Sequence, residues 1–179
     1  MEKTTFKTIL AAVLLLFALN RANAQEVPQA LSDLMRLEGH WEGQATLILE
    51  GKTYTFPYHT DFKKTADGSG LLMEEWFSSE ELGKLMGTNL IGYNANGAKI
   101  HWFSVDNFGT THDHTGTWKS REYFYMETTE MMQKKKYKEK IDLIFKGNDT
   151  LELSLSATLD GKEYEKVSVV FQRVQKGSN

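Results

Sequence analysis

From Trp41 onward the sequence alternates. In Trp41–Glu50 the apolar residues Trp41, Ala45, Leu47 and Leu49 take odd positions, while Glu42, Gln44, Thr46 and Glu50 take even ones. After Gly51-Lys52 the apolar set moves to the even positions Tyr54, Phe56, Tyr58 and Phe62. A period of two is the repeat of a strand with one buried face. Read as a two-residue turn, Gly51-Lys52 pairs 49 with 54 and 47 with 56, so both apolar sets share one face of a hairpin. The C-terminal end repeats the pattern. Tyr137, Ile141, Leu143 and Phe145 alternate against lysines and Asp142. Leu151, Leu153, Leu155, Ala157 and Leu159 follow the Gly147-Asn148-Asp149 turn, and Val167, Val169 and Phe171 follow Asp160-Gly161.

Between these ends the spacing predicts strands near 71–77, 86–93, 98–105, 110–118 and 122–131, which makes ten in all. Ten strands in up-and-down order with one apolar face suggest an all-β, single antiparallel barrel, because closure removes the exposed edges. Leu31, Leu34, Met35 and Leu37 are spaced for a short N-terminal helix ahead of it. Residues 65–70 read as a loop. Ser78 to Glu81 has the spacing of a capping box, which fits either one helical turn over the barrel mouth or a plain surface turn.

The first residues read differently. Lys3 and Lys7 precede an apolar run, Ile9–Leu19, and the small residues of Ala22-Asn23-Ala24 precede Gln25, the layout of a secretory signal peptide. The run is shorter than the roughly 20 residues a membrane span needs. Residues 1–24 are therefore expected to be a cleaved leader, leaving 25–179 as one domain, secreted or periplasmic, without a stable membrane anchor. Without Lys3, Lys7, Arg21 and Glu2 the net charge moves from −3 to −5, which argues against a nucleic-acid partner. The chain has no cysteine, which excludes disulfides, thiol catalysis and zinc–thiolate sites.

Leu37-Glu38-Gly39-His40-Trp41-Glu42-Gly43 resembles the Gly-x-Trp start of the lipocalin and calycin superfamily. The segment "LIGYNANGAKIHWFSVDNFGTTHDHTGTW" is similar to a family of exported bacterial lipocalin-like proteins of uncharacterised function, and the likeness spans about residues 31–174. The resemblance implies a lipocalin-like barrel in which Gly39 and Trp41 plug one end and Arg173 packs across the indole. Related ten-stranded barrels bind haem through a histidine near the C-terminus. Here no histidine follows His114, so haem is not expected.

"GTTHDHTG", residues 109–116, is the most chemical stretch of the chain. If the turn Asp106–Gly109 pairs Val105 with Thr110, then His101 faces His114 and Phe103 faces His112. His101, His112 and His114 would then share a sheet face, a layout that suits a divalent metal with an open fourth position. A one-residue bulge would separate them. Glu74, Glu75, Asp106 and Asp113 are carboxylates within reach of acid–base pairing with these histidines. No nucleophile elbow, phosphate loop or nucleotide fingerprint is present, so catalytic residues are not assigned. The expected function is binding of a small apolar or amphipathic molecule, with Trp76, Trp102, Phe103 and Trp118 giving apolar contact and His112 and His114 orienting its polar end. No cofactor is required for that role. The alternatives are a metal-binding protein or metal-dependent enzyme built on the three histidines, and an interaction module with a filled barrel.

Overall fold

A computed structural model describes residues 28–174. The proposed leader lies outside the described residues. The element order is a short helix α1 (Gln29–Leu34), a 3-10 turn (Met35–Leu37) and ten strands: β1 (Gly39–Leu49), β2 (Lys52–Thr65), β3 (Gly70–Ser79), β4 (Gly83–Asn94), β5 (Lys99–Asp106), β6 (Thr111–Ser120), β7 (Tyr123–Met132), β8 (Lys135–Phe145), β9 (Thr150–Leu159) and β10 (Lys162–Val174). Every strand pairs antiparallel with its sequence neighbours, and β1 pairs with β10, so the sheet closes on itself. Among the described residues no helix is long and apolar enough to cross a membrane.

The first hairpin turns at Glu50-Gly51, both with positive φ (50° and 80°), and pairs Leu47 with Tyr54 and Ala45 with Phe56. This is two residues from the register read off Gly51-Lys52. Because side chains repeat every two residues, that slip leaves the same faces inside. Residues 80–82 form a tight turn between β3 and β4 rather than a helical cover over the mouth. The Ser79 hydroxyl accepts from the Glu81 and Leu82 amides there, a local turn bond in place of a helix cap.

The two halves of the barrel interior differ. At the end where β1 starts and β10 finishes, Trp41, Phe62, Leu71, Ile91, Ile100, Phe124, Phe145, Leu151 and Phe171 are all buried, with Leu31, Leu34 and Leu37 of the N-terminal segment seated on them. The Trp41 indole donates to the Leu37 carbonyl at 2.7 Å. Arg173, the cross-strand partner of Trp41, lies over the ring with its guanidinium carbon 4.1 Å from the centroid. It also donates to the carbonyls of Arg36, Glu38 and Asn148. One side chain thus ties the helix segment, the tryptophan and the β8–β9 turn together. Gly116 makes room for this packing: a Cβ there would sit 2.2 Å from the tip of the Phe124 ring. This end is a closed apolar floor.

Toward the other end, inward-facing side chains are less buried. Leu49, Tyr54, Leu153, Leu155, Leu159, Glu165 and Val167 all lie on the inward phase of their strands yet keep solvent-accessible surface. This half is more open to solvent than the floor.

Candidate ligand-binding site

Polar groups form a belt inside the barrel above the floor. Each one stands on the inward phase of its strand, among residues that are otherwise apolar. Glu75 follows Leu71 and Met73 on β3, and Asn89 precedes Ile91 on β4. His112 and His114 precede Gly116 on β6. Thr128 and Glu130 follow Phe124 and Met126 on β7, Glu139 lies between Tyr137 and Ile141 on β8, and Glu165 precedes Val167 on β10. Burying such groups unpaired costs several kcal/mol each, so their partners decide whether they can be there.

Most are paired, in two networks. On the β2–β5 side Trp102 donates to the Asn89 carbonyl oxygen at 2.9 Å, and the Asn89 amide donates to Glu75 at 2.9 Å. Tyr58 donates its hydroxyl to the same carboxylate. Burial, reinforced by the Glu75 charge, holds the Tyr58 hydroxyl protonated far above the ordinary phenol range. Gly87 is the neighbour that admits Glu75, since a Cβ there would meet its carboxylate at 2.7 Å.

On the β6–β8 side His114 Nε2 lies 2.5 Å from Glu139 Oε1, with both side chains almost fully buried. Tyr137 donates to the second Glu139 oxygen, and His112 Nδ1 pairs with Glu130. The His112 ring stacks on Tyr137 at 5.5 Å and lies 5.9 Å from His114. Burial raises the Glu139 pKa, but the hydrogen bond and charge of His114, with the Tyr137 hydroxyl, outweigh it and leave the group below its ordinary value.

Three polar groups inside the barrel are without partners among the described residues. His114 Nδ1 and the Thr60 hydroxyl are buried without a hydrogen-bond partner among the described residues. Glu165 faces the interior with no described side chain pairing its carboxylate, and burial together with the Glu139 charge pushes its pKa up to about 7. A partly protonated carboxyl beside an ordered histidine–glutamate pair can donate or accept a hydrogen bond near neutral pH.

The residues singled out from the sequence divide between the two sides of the wall. Trp102, Trp118, His112 and His114 point inside. Trp118 belongs to the floor, where its indole donates to the Ala30 carbonyl. Phe103 is 45 % exposed on the outside, across from Leu90. Trp76 is also outside, stacked against His40 and His59. The three-histidine face does not form. Val105 pairs with Thr111, so His101 stands opposite Thr115 while Trp102 opposes His114 and Ser104 opposes His112. The cause is the turn: Asp106 accepts from the amides of Phe108 and Thr110 and holds one more residue in the connection than the four read from sequence. His101 therefore lies on the outer face, 3.1 Å from Asp113, and cannot share an ion with the other two. Glu130, Glu139 and Glu165 were missed. Their signal was present, since each is a charge on the apolar phase of an alternating strand.

A groove also crosses the outside of β1, β9 and β10, bordered by Thr46, Ser154, Ser156, Lys166 and Ser168. It is open to solvent and holds no cluster of paired titratable groups, so the belt is the stronger candidate.

Comparison with solved structures places the fold. The S-type phycobiliprotein lyase CPES from Guillardia theta superposes with a TM-score of 0.60 at 13 % identity, covering 82 % of this chain and 94 % of that one. The fold is lipocalin-like. A protein with unknown function from the DUF3598 family of Nostoc punctiforme matches with a TM-score of 0.41 at 14 % identity, over 79 % of this chain and 48 % of that one. No protein-family model matches the sequence, and no curated protein does.

Proposed function

We propose that this barrel carries a small, partly apolar molecule, its apolar part toward the floor and a polar end in the belt. The observation that supports this reading is the graded interior: a closed apolar floor, a belt of paired titratable groups, and accessible inward-facing side chains beyond it. A barrel filled only for stability gains nothing from four interior glutamates, because each must be desolvated and paired. The unpaired Glu165 carboxylate and the free His114 Nδ1 suit a polar end that donates and accepts hydrogen bonds, such as an amine or a hydroxyl beside a carbonyl. The lyase that shares the fold bears a name that refers to phycobiliproteins. At 13 % identity that supports the architecture of a small-molecule barrel and not its cargo.

The leader-like start of the chain supports export to the periplasm or beyond, in keeping with the exported bacterial lipocalin-like family its motifs resemble. The acidic balance favours a small-molecule partner over nucleic acid, and no resident cofactor is needed. A second reading is favoured by one observation. Met86, Leu90, Phe103, Val105 and Phe108 are exposed together on the outside of β4, β5 and their turns, as an interaction module would have them.

Native mass spectrometry of tag-free protein purified from its own host tests the first reading. A co-purifying organic mass of one equivalent is expected, and it should be lost in Glu165→Leu. Absence of any bound mass, together with a hydrogen-exchange pattern showing the mouth half as protected as the floor, would reject the carrier and leave the interaction module.

A further inference from the structure

The outer face near the plugged end holds a second cluster, separate from the barrel interior. His40 and Glu42 alternate outward on β1, and His59 opposes Glu42 on β2. His40 Nε2 lies 3.0 Å from Glu42 Oε1, and His59 Nδ1 lies 3.5 Å from the same oxygen. One donor atom from each of the three residues lies within 4.8 Å of the others. Trp76, across from His59 on β3, forms a wall behind them. Its ring is 5.4 Å from His59 at an interplanar angle of 7° and 5.5 Å from His40 at 24°.

We propose that His40, Glu42 and His59 form a binding site for a divalent transition-metal ion. Two imidazoles and a carboxylate are the donor set that zinc and copper accept, and three protein donors leave a coordination position open to solvent. The strands fix the spacing of the three Cα atoms. Stacking on Trp76 restricts both imidazoles, so little side-chain freedom remains to be lost when an ion is bound. The three donors already converge, and closing to metal–nitrogen distances of about 2.1 Å needs only rotamer adjustment within the cluster. His101, the one member of the trio read from the sequence that faces outward, is held by Asp113 on β6 and takes no part.

Calorimetric titration of tag-free, EDTA-treated protein with ZnCl2 and with CuCl2 tests the site. One equivalent of each is expected, with copper tighter than zinc. Bound copper should quench the emission of Trp76, and Trp76→Phe should remove most of that quench while keeping the stoichiometry. Zinc affinity should fall at least about tenfold in Glu42→Gln and be lost in His40→Ala/His59→Ala, whereas His101→Ala keeps it. No stoichiometric binding by the unaltered protein overturns the proposal, as does equal affinity in the double variant or loss of affinity in His101→Ala. If circular dichroism shows the double variant unfolded, Glu42→Gln decides: a tenfold loss supports the site and an unchanged affinity rejects it.

Discussion

Asp113 and His114 are neighbours in sequence and stand on opposite sides of the barrel wall. Each belongs to a histidine–carboxylate pair. Inside, His114 meets Glu139 at 2.5 Å with side-chain exposures of 4 % and 5 %. Outside, His101 meets Asp113 at 3.1 Å with exposures of 39 % and 55 %. The chemistry is the same and the surroundings are not. Water screens the outer pair and solvates either partner when the other is gone. The inner pair has given up its hydration, so each member depends on the other, and its attraction is less screened. The two pairs show that the strand phase on which a residue falls, more than its identity, fixes what it does in this fold.

The largest expected effect breaks the inner pair. Glu139→Ala leaves His114 and the Tyr137 hydroxyl buried without their partner and should destabilise the barrel by about 3–5 kcal/mol. Urea denaturation followed by tryptophan fluorescence measures it. The double variant Glu139→Leu/His114→Phe should be more stable than the single one, because within this network only the Tyr137 hydroxyl is then left without its partner. A double variant as unstable as Glu139→Ala would mean that packing volume, and not pairing, sets the cost.

The same comparison shows what could be read from the sequence. The ten strands, the closed barrel and the apolar floor follow from alternation and turn chemistry, which act locally. The packing of Arg173 on Trp41 is implied by the resemblance of the Gly-x-Trp start, and both residues lie on the inward phase of the two strands that close the sheet. The first hairpin tolerates a register reading that is off by two. At β5–β6 an error of one is decisive, and it came from Asp106, whose carboxylate holds an extra residue in the turn through bonds that no periodicity reveals. Phe103 and His101 changed sides with that residue. Trp76 is outside for another reason: Leu71, Met73, Glu75 and Phe77 are the inward set of β3, and an aromatic residue on the outer phase breaks the simple alternation. Glu139 and Glu165 were passed over because a charge within an apolar phase reads as noise until its surroundings are known, and His114, which pairs with Glu139, lies 25 residues away in sequence on β6.

A middle-sized effect should appear against pH. Glu165 carries a folded pKa of about 7 against an ordinary 4.5, so the native state binds the proton more tightly than the unfolded chain. Its contribution to stability is greatest below the unfolded value, declines as pH rises from about 4.5 to about 7, and is level above that. The loss should be on the order of 2 kcal/mol once partial solvent access is allowed for. Glu139 has the opposite sign: its folded pKa is depressed, so its contribution is present above the unfolded value and lost as the pH falls through the folded one. Denaturation midpoints between pH 4.5 and 8 should therefore decline in the unaltered protein and flatten in Glu165→Gln. An unchanged slope in that variant would place the titrating group elsewhere. A bound ammonium facing Glu165 should shrink the decline and move its upper end to lower pH, since a charged partner stabilises the carboxylate and lowers its folded pKa.

The smallest effect belongs to the outer pair, and it calibrates the rest. Asp113→Asn removes a carboxylate that is more than half exposed, while His101 keeps its hydration. The cost should be roughly 0–0.5 kcal/mol, and it should vanish in high salt, where exposed charges are screened within a few ångströms. Glu139→Ala should keep nearly its full penalty in the same salt, because the inner pair lies out of reach of mobile ions. Equal salt sensitivity in the two variants would mean that water and ions penetrate the belt as freely as they reach the surface. The interior groups would then be walls of an open channel, with no desolvated pocket to give a polar ligand its grip.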